Sequence, residues 1–384
     1  MSIRSQASDL WHRLMLHGQR NKLPFSEGNQ VRPLLDGAEI LGALRSLIAE
    51  AQATLHFEIY AWADDETGRC LLTELEAARE RGVQVRGMVD HLGSWSALEM
   101  LKASRLNLRF YHPISWRLPW RLWHRRNHRK LLIADGASAV VSSANWADAY
   151  NCGINTSCYR DLGLELQGPV VLQLEEDFRR SWTRTGGEVL APGPGIICKG
   201  CGSEWIEGVD IQLVSSLNGG GRALRRHLLL IIKQLRHRAL IANAYFIPDP
   251  QFLRVLLRAA RRGIELDLIV PGDSDHPFVQ AASRATFGRL AKAGVRIWER
   301  QERMLHAKVA VLDEDLAVLG SANLDSRSFR HNLELNLMLR SRDLTVMVEA
   351  ALEAERRNSQ SWSGIKPIRW SWFQRTAYLF WWWL

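Results

Sequence analysis

The chain has no uninterrupted apolar run of about 18 residues, the length a helix needs to cross a bilayer. The nearest approach, residues 226–247, is broken by Lys233, Arg236, His237 and Arg238, so no transmembrane helix is expected. Residues 1–21 contain no apolar run of signal-peptide length, so no cleaved leader is expected either. Cysteine is scarce. Five in 384 residues do not make the dense framework of a small secreted scaffold, which points to a reducing compartment. Cys198 and Cys201 form a C-x-x-C, and Cys152 and Cys158 stand further upstream. With no second tight pair, this spacing argues against a zinc site. The glycines Gly219-Gly220-Gly221 are not followed by the lysine of a nucleotide loop, so they read as a turn. Acidic residues are outnumbered, 41 against 50 lysines and arginines, giving a net charge of +9. That balance favours a polyanionic partner, nucleic acid or an anionic membrane surface, without choosing between them.

What the chain does have is one pattern written twice. His128-Arg129-Lys130-Leu131-Leu132-Ile133-Ala134-Asp135 is followed by Ser142-Ser143-Ala144-Asn145. His306-Ala307-Lys308-Val309-Ala310-Val311-Leu312-Asp313 is followed at the same distance by Gly320-Ser321-Ala322-Asn323. A spacing of two puts histidine and lysine on one face of an extended strand. The apolar residues that follow fit a buried strand, and Asp135-Gly136 and Asp313-Glu314-Asp315 read as turns into a second one. Each copy is therefore a predicted hairpin presenting an imidazole, an ammonium and a carboxamide. Histidine can attack phosphorus or carry a proton near neutral pH. Lysine is a point charge suited to a phosphate oxygen, and asparagine can donate a further bond. Two such sets brought together would clamp a phosphodiester, one histidine acting as nucleophile and the other protonating the leaving alcohol. Asp135 and Asp313, at the turns, are expected to be structural and to bond backbone amides there.

The rest of the chain is laid out twice as well. Helical spacing over residues 38–53, alternation over 54–62, an amphipathic helix over 71–81 and a strand over 83–89 make a strand–helix–strand unit with parallel pairing expected. A strand over 211–215, a helix over 223–236, a strand over 239–246, a helix over 251–262 and a strand over 264–270 repeat it. Each half continues through a helix and short strand, residues 97–110 and 281–298, into its histidine hairpin. The expected division is a lead-in at 1–30, a first α/β domain at 31–190, a linker at 191–204 carrying Ala191-Pro192-Gly193-Pro194-Gly195, a second domain at 205–360 and an aromatic tail at 361–384.

The doubled pattern resembles the phospholipase D superfamily. Flanking strings narrow the resemblance: His56-Phe57-Glu58-Ile59-Tyr60, Trp62-Ala63-Asp64-Asp65-Glu66-Thr67-Gly68, Tyr245-Phe246-Ile247-Pro248-Asp249 and Asn323-Leu324-Asp325-Ser326-Arg327-Ser328. Together they look like the bacterial cardiolipin synthases of the short type, over roughly residues 30–350. The resemblance implies two homologous α/β domains about a pseudo-two-fold axis, with one site at their interface built from His128, Lys130, Asn145, His306, Lys308 and Asn323. It implies phosphatidyl transfer, with phosphatidylglycerol as donor and acceptor, through a phosphatidyl-histidine, and no metal or cofactor. It assigns His128 as nucleophile and His306 as acid and base, a point on which the sequence itself is symmetric. It also places histidine-orienting acids at Asp161, 33 residues after His128, and at Glu334, 28 residues after His306. Ser142 replaces a glycine common in the superfamily, a small change that could narrow the pocket. Hydrolysis to phosphatidic acid differs only in the acceptor and stays open, as does, with less support, phosphodiesterase action on nucleic acid.

Two segments favour a membrane surface. Trp116, Trp120 and Trp123 interleave with Arg117, Arg121, Arg125, Arg126 and Arg129, and the end of the chain carries Trp381, Trp382 and Trp383. Indoles favour the headgroup level, and each nearby cation contributes about 1 kcal/mol against anionic lipid. The first segment could equally stack bases along a nucleic-acid backbone. The second is too short to span and suits a surface anchor, or else covers a core face or dimer contact. A peripheral position on the cytoplasmic face of a bacterial inner membrane is the expected location.

Overall fold

The computed structural model describes residues 25–113, 124–196, 205–218, 221–364 and 376. In the first half β1 (Phe25–Leu34), α1 (Gly37–Glu50), β2 (Thr54–Ile59), α2 (Glu66–Glu80), β3 (Gln84–Asp90), α3 (Leu98–Ala103) and β4 (Asn107–Tyr111) lead to the hairpin β5 (Leu131–Ala134) and β6 (Ser138–Ser142). Strand β7 (Gly163–Gln167) and α4 (Pro169–Arg184) complete it. In the second half β8 (Ile206–Ser215), α5 (Gly221–Gln234), β9 (Arg238–Asn243), α6 (Pro250–Arg261), β10 (Glu265–Pro271), α7 (Pro277–Lys292) and β11 (Arg296–Arg300) lead to β12 (Lys308–Leu312) and β13 (Leu316–Gly320). The short α8 (Ser326–Arg330), β14 (Leu335–Arg340), α9 (Arg342–Arg357) and β15 (Ser359–Ser361) close the chain.

Local chemistry accounts for the helix starts. Asp36, Asp65 and Asp249 each cap a helix by accepting backbone N–H bonds, from Glu39, from Gly68, and from Gln251 and Phe252. Pro250 then occupies the first position of α6, where its missing N–H costs nothing.

The fifteen strands among the described residues form one sheet in the order β15-β11-β10-β9-β12-β13-β14-β8-β1-β7-β6-β5-β2-β3-β4. Read outward from β1 and from β8, the two halves have the same order, with β15 added at one edge. The duplicated α/β architecture expected from the sequence is thus present. The strands joined by helical crossovers pair in parallel, β2 with β3 and β3 with β4, and likewise β9, β10 and β11. Strands β1 and β8 pair antiparallel at the centre, as a two-fold relation requires. The seam is a shared core: Val31, Leu164, Leu166 and Phe178 pack in one cluster with Ile211, Leu213, Leu337 and Leu344.

Strand β1 starts at Phe25, ahead of the Val31 at which the sequence reading begins the first half. The reason is local. Its register against β8 shifts between Ser26 and Asn29 and again before Val31, and Gly28 has a φ of +71°, so the stretch lacks the alternation that marks a strand. A second departure concerns cysteine. Cys152 and Cys158 form a disulfide, their Cα atoms 5.1 Å apart across a tight loop. The scarcity of cysteine gave no sign of this pairing, which leaves neither sulfur available to a metal. Cys198 and Cys201 lie outside the described residues, as do Trp116, Trp120, Trp123, Trp381, Trp382 and Trp383. Among the described residues no helix is long and apolar enough to cross a membrane.

Candidate active site

Each histidine stands just ahead of the inner strand of its hairpin. Strand β5 is laddered to β2 on one side and β6 on the other, and β12 to β9 and β13, so the mouths of both hairpins are held on two sides. Immediately before each histidine the chain leaves its own half and pairs with the other. Asn127 and Leu333 form an isolated parallel bridge, in which Leu333 N donates to Arg126 O at 2.8 Å and His128 N to Leu333 O at 2.9 Å. Arg160 and Leu305 form its counterpart, with Arg160 N donating to Met304 O at 2.8 Å and His306 N to Arg160 O at 2.8 Å. The residue after each bridge is the carboxylate. The two acids are therefore exchanged between halves. His128 Nδ1 lies 3.1 Å from Glu334 Oε2, and His306 Nδ1 lies 2.8 Å from Asp161 Oδ2.

A serine from each repeated tetrapeptide fixes its carboxylate. Ser143 Oγ donates to Asp161 Oδ1 and Ser321 Oγ to Glu334 Oε2. Both serines lie inside the doubled motif, which was the available signal for them. Lys130 Nζ donates to His128 O at 2.7 Å, while Lys308 Nζ donates to His306 O and sits 3.0 Å from both ring nitrogens of His306. Asn145 Nδ2 donates to Tyr150 Oη at 2.8 Å, and its Oδ1 accepts from Ala61 N at 3.3 Å. Asn323 is buried, and its Oδ1 has no hydrogen-bond partner among the described residues. A wall of tyrosines completes the site, Tyr60 and Tyr245 from the flanking strings and Tyr150 and Tyr159 from outside every quoted motif. Tyr60 lies edge-on to His128, with ring centroids 4.9 Å apart, and Tyr150, Tyr159 and Tyr245 surround His306 at 5.1, 6.2 and 6.5 Å.

The site's electrostatics follow from its burial. Burial and then Lys130 lower His128 to about 4, and burial and then Lys308 do the same to His306, also to about 4. For Glu334, burial pushes upward, but His128, Ser321 and Lys130 outweigh it and hold the carboxyl at about 2. Asp161 is likewise held below its ordinary value, with His306, Lys308 and Ser143 overcoming burial. Burial lowers Lys308 to about 8; burial and then Lys308 lower Lys130 well below its ordinary value. At neutral pH both acids are ionised and both imidazoles neutral. An ionised carboxylate only accepts, so each Nδ1 carries the proton and each Nε2 presents a lone pair.

Asp135 and Asp313 sit at the opposite ends of β5 and β12, both with a φ of +53°. They do not bond the amides of their own turns, as the sequence suggested. Each reaches back to three successive amides that lead into the neighbouring strand. Asp135 accepts from Gln52, Ala53 and Thr54, and Asp313 from Arg236, His237 and Arg238. The left-handed turn aims the side chain away from its own loop and at that bend.

The halves differ in one respect behind the site. Arg129, fully buried, lies 3.1 Å from Glu58 and 3.0 Å from Asp177, and donates to Ser215 Oγ at 2.7 Å. Asn127 Nδ2 donates to the other oxygen of Glu58 at 2.7 Å. Glu58 pairs with Leu131 in β5 as Ala242 pairs with Val309 in β12. The counterparts of Asn127, Arg129 and Glu58 are thus Leu305, Ala307 and Ala242, and all three are buried and apolar.

The comparisons with known proteins agree with this layout. A family model described as cardiolipin synthase, PLD-like domain, matches residues 44–182 and 228–356. Cardiolipin synthase B of Escherichia coli strain K12 is 32% identical over 339 residues, covering 84% of this chain and 79% of that protein. Cardiolipin synthase of Geobacillus kaustophilus is 32% identical over 333 residues, covering 82% of this chain and 64% of its own length. Among solved structures, phosphatidylserine synthase of Haemophilus influenzae superposes with a TM-score of 0.72 at 15% identity, covering 96% of this chain and 99% of that one. Polyphosphate kinase of Porphyromonas gingivalis gives 0.57 at 16%, covering 92% and 52%. At those identities the likeness speaks for the fold alone. The matches to both halves and the extended identity to the curated relatives carry the assignment: this chain belongs to the cardiolipin synthase family of phospholipase D-like proteins.

Proposed function

We propose that the protein is a cardiolipin synthase, transferring a phosphatidyl group between two molecules of phosphatidylglycerol at a membrane surface. The observation that carries this reading is the exchanged pairing, which gives two buried imidazoles, each with Nδ1 tied to an ionised carboxylate and a lysine beside it. His128 Nε2 attacks the donor phosphorus and forms a P–N bond as the P–O bond to glycerol breaks. His306, protonated when the phosphodiester anion enters beside it, gives its Nε2 proton to the departing glycerol oxygen. It then takes the proton of the acceptor's terminal hydroxyl, whose oxygen attacks the same phosphorus and breaks the P–N bond. Lys130, Lys308, Asn145 and Asn323 stabilise charge on the equatorial oxygens, and every step is covered by these side chains without a cofactor. Trp116, Trp120, Trp123, Trp381, Trp382 and Trp383 serve as interfacial contacts.

The test is mass spectrometry of lipids after incubation with phosphatidylglycerol vesicles, beside His128→Ala and His306→Ala. Cardiolipin and free glycerol, lost by about 10²–10⁴-fold in each variant, are expected. Phosphatidic acid without cardiolipin would make the protein a hydrolase, and salt-sensitive DNA cleavage dependent on His128 would make it a nuclease. A trapped phosphohistidine mapped to His306 would reverse the two histidine roles.

A further inference from the structure

A cavity of about 300 Å³ is built against Leu333, with Arg125, Arg222, Arg330, His331 and Asn332 among its walls. Among the described residues no carboxylate lines it. Its basic groups come from three places: the segment leading into His128, the first turn of α5 and the end of α8. The three arginines are exposed, whereas His331, Asn332 and Leu333 are half-buried. Burial and then Arg327, His124, Arg330 and Arg125 push His331 below its ordinary value, so positive groups converge on this region from several elements.

The cavity shares residues with the reacting centre. Leu333 O accepts the N–H of His128 at 2.9 Å, and Asn332 Nδ2 donates to Glu334 Oε1 at 3.3 Å. Two residues of the cavity wall, Asn332 and Leu333, thus also hold the His128–Glu334 pair.

The synthase reading, on which this inference rests, demands such a place. Two phosphodiesters meet in each cycle. The donor's occupies the two histidines and two lysines. The acceptor brings its own phosphate, one glycerol away from the attacking hydroxyl, and that second anion cannot share the same cations while the first is bound. We propose that the basic cavity holds the acceptor lipid's phosphodiester while its free hydroxyl faces the phosphorus on His128. Arg125, Arg222 and Arg330 then act on the choice of acceptor and leave the donor's chemistry to the histidines.

The experiment compares two acceptors on the full-length protein, in phosphatidylcholine vesicles containing phosphatidylglycerol. One readout is cardiolipin formed. The other is incorporation of deuterated glycerol into phosphatidylglycerol, since glycerol offers the same hydroxyl without a phosphate. Arg222→Gln and Arg330→Gln are each expected to lower the ratio of cardiolipin to glycerol exchange by about tenfold, and the double variant by more. Arg289→Gln, an exposed arginine of α7, controls for the loss of one surface charge and is expected to keep the wild-type ratio. A ratio unchanged in the Arg222 and Arg330 variants would overturn the acceptor site, as would an equal fall in the Arg289 variant. Glycerol exchange without any cardiolipin in the wild type would instead remove the synthase reading, and this inference with it.

Discussion

At the scale of single residues, the site is defined by who orients whom. Because Glu334 holds His128 and Asp161 holds His306, each acid belongs functionally to the opposite half. Glu334→Gln is expected to slow formation of the phosphohistidine, and Asp161→Asn, through His306, to slow both its formation and its onward transfer. Each loss should be about 10²–10⁴-fold, read by quench-flow trapping of the intermediate. Onward transfer from a preformed phosphohistidine at the wild-type rate in the Asp161 variant would contradict this division of labour. The imidazoles also set a pH dependence of stability. Their folded values near 4 lie below the ordinary 6.5 or so of histidine. Between those limits the unfolded chain binds more protons, so their contribution falls as pH drops from about 6.5 toward 4. Urea midpoints measured from pH 7 to 4.5 should therefore fall more steeply for the wild type than for a His128→Gln, His306→Gln double variant. Parallel curves would mean that these histidines titrate normally.

At the scale of elements, the hairpins are anchored at both ends: at the mouth by the cross-half bridges, at the turn by Asp135 and Asp313. Removing one carboxylate strands three amides. Asp313→Ala, at the more exposed turn, is expected to cost about 1–3 kcal/mol in urea unfolding, and Asp135→Ala, fully buried, no less. A cost below about 0.5 kcal/mol at both would show that water satisfies those amides. Much of this scale was legible in the sequence. Apolar periodicity located β2, β3, α2 and α6, because each buries one regular face or sits wholly inside the sheet. The doubled motif located the hairpins and their histidines. What could not be read was the exchange. Asp161 and Glu334 are followed by strands β7 and β14, and nothing in one-dimensional spacing says that the residue before each acid bridges to the other half. Two of the tyrosines around His306 were hidden for a related reason: Tyr150 and Tyr159 flank the disulfide loop, which has no counterpart in the second copy. Arg129, read as one cation in a tryptophan–arginine surface stretch, is instead fully buried, its charge absorbed by Glu58 and Asp177, which lie 71 and 48 positions away in the sequence.

At the scale of the whole molecule, one sheet runs unbroken through both halves, and neither half holds a complete site. A fragment ending in the 191–204 linker, or one beginning there, is expected to show no phosphatidyl transfer alone. It would also leave β1 or β8 as a long open edge prone to pairing with other chains. Co-expression of the two fragments should restore part of the activity, measured as cardiolipin formed. Activity in a lone fragment would require it to pair with itself and make the exchange between two copies. That comparison exposes what joining the halves permits. Two identical copies facing each other across a dyad must treat their histidines alike, since whatever surrounds one surrounds the other. A single chain is under no such constraint. Here the backing of one histidine is ionic and that of its twin is hydrocarbon. The duplicated architecture thus lets one imidazole be tuned without retuning its partner, a freedom that attacking and proton-carrying roles can exploit once they are assigned to different residues.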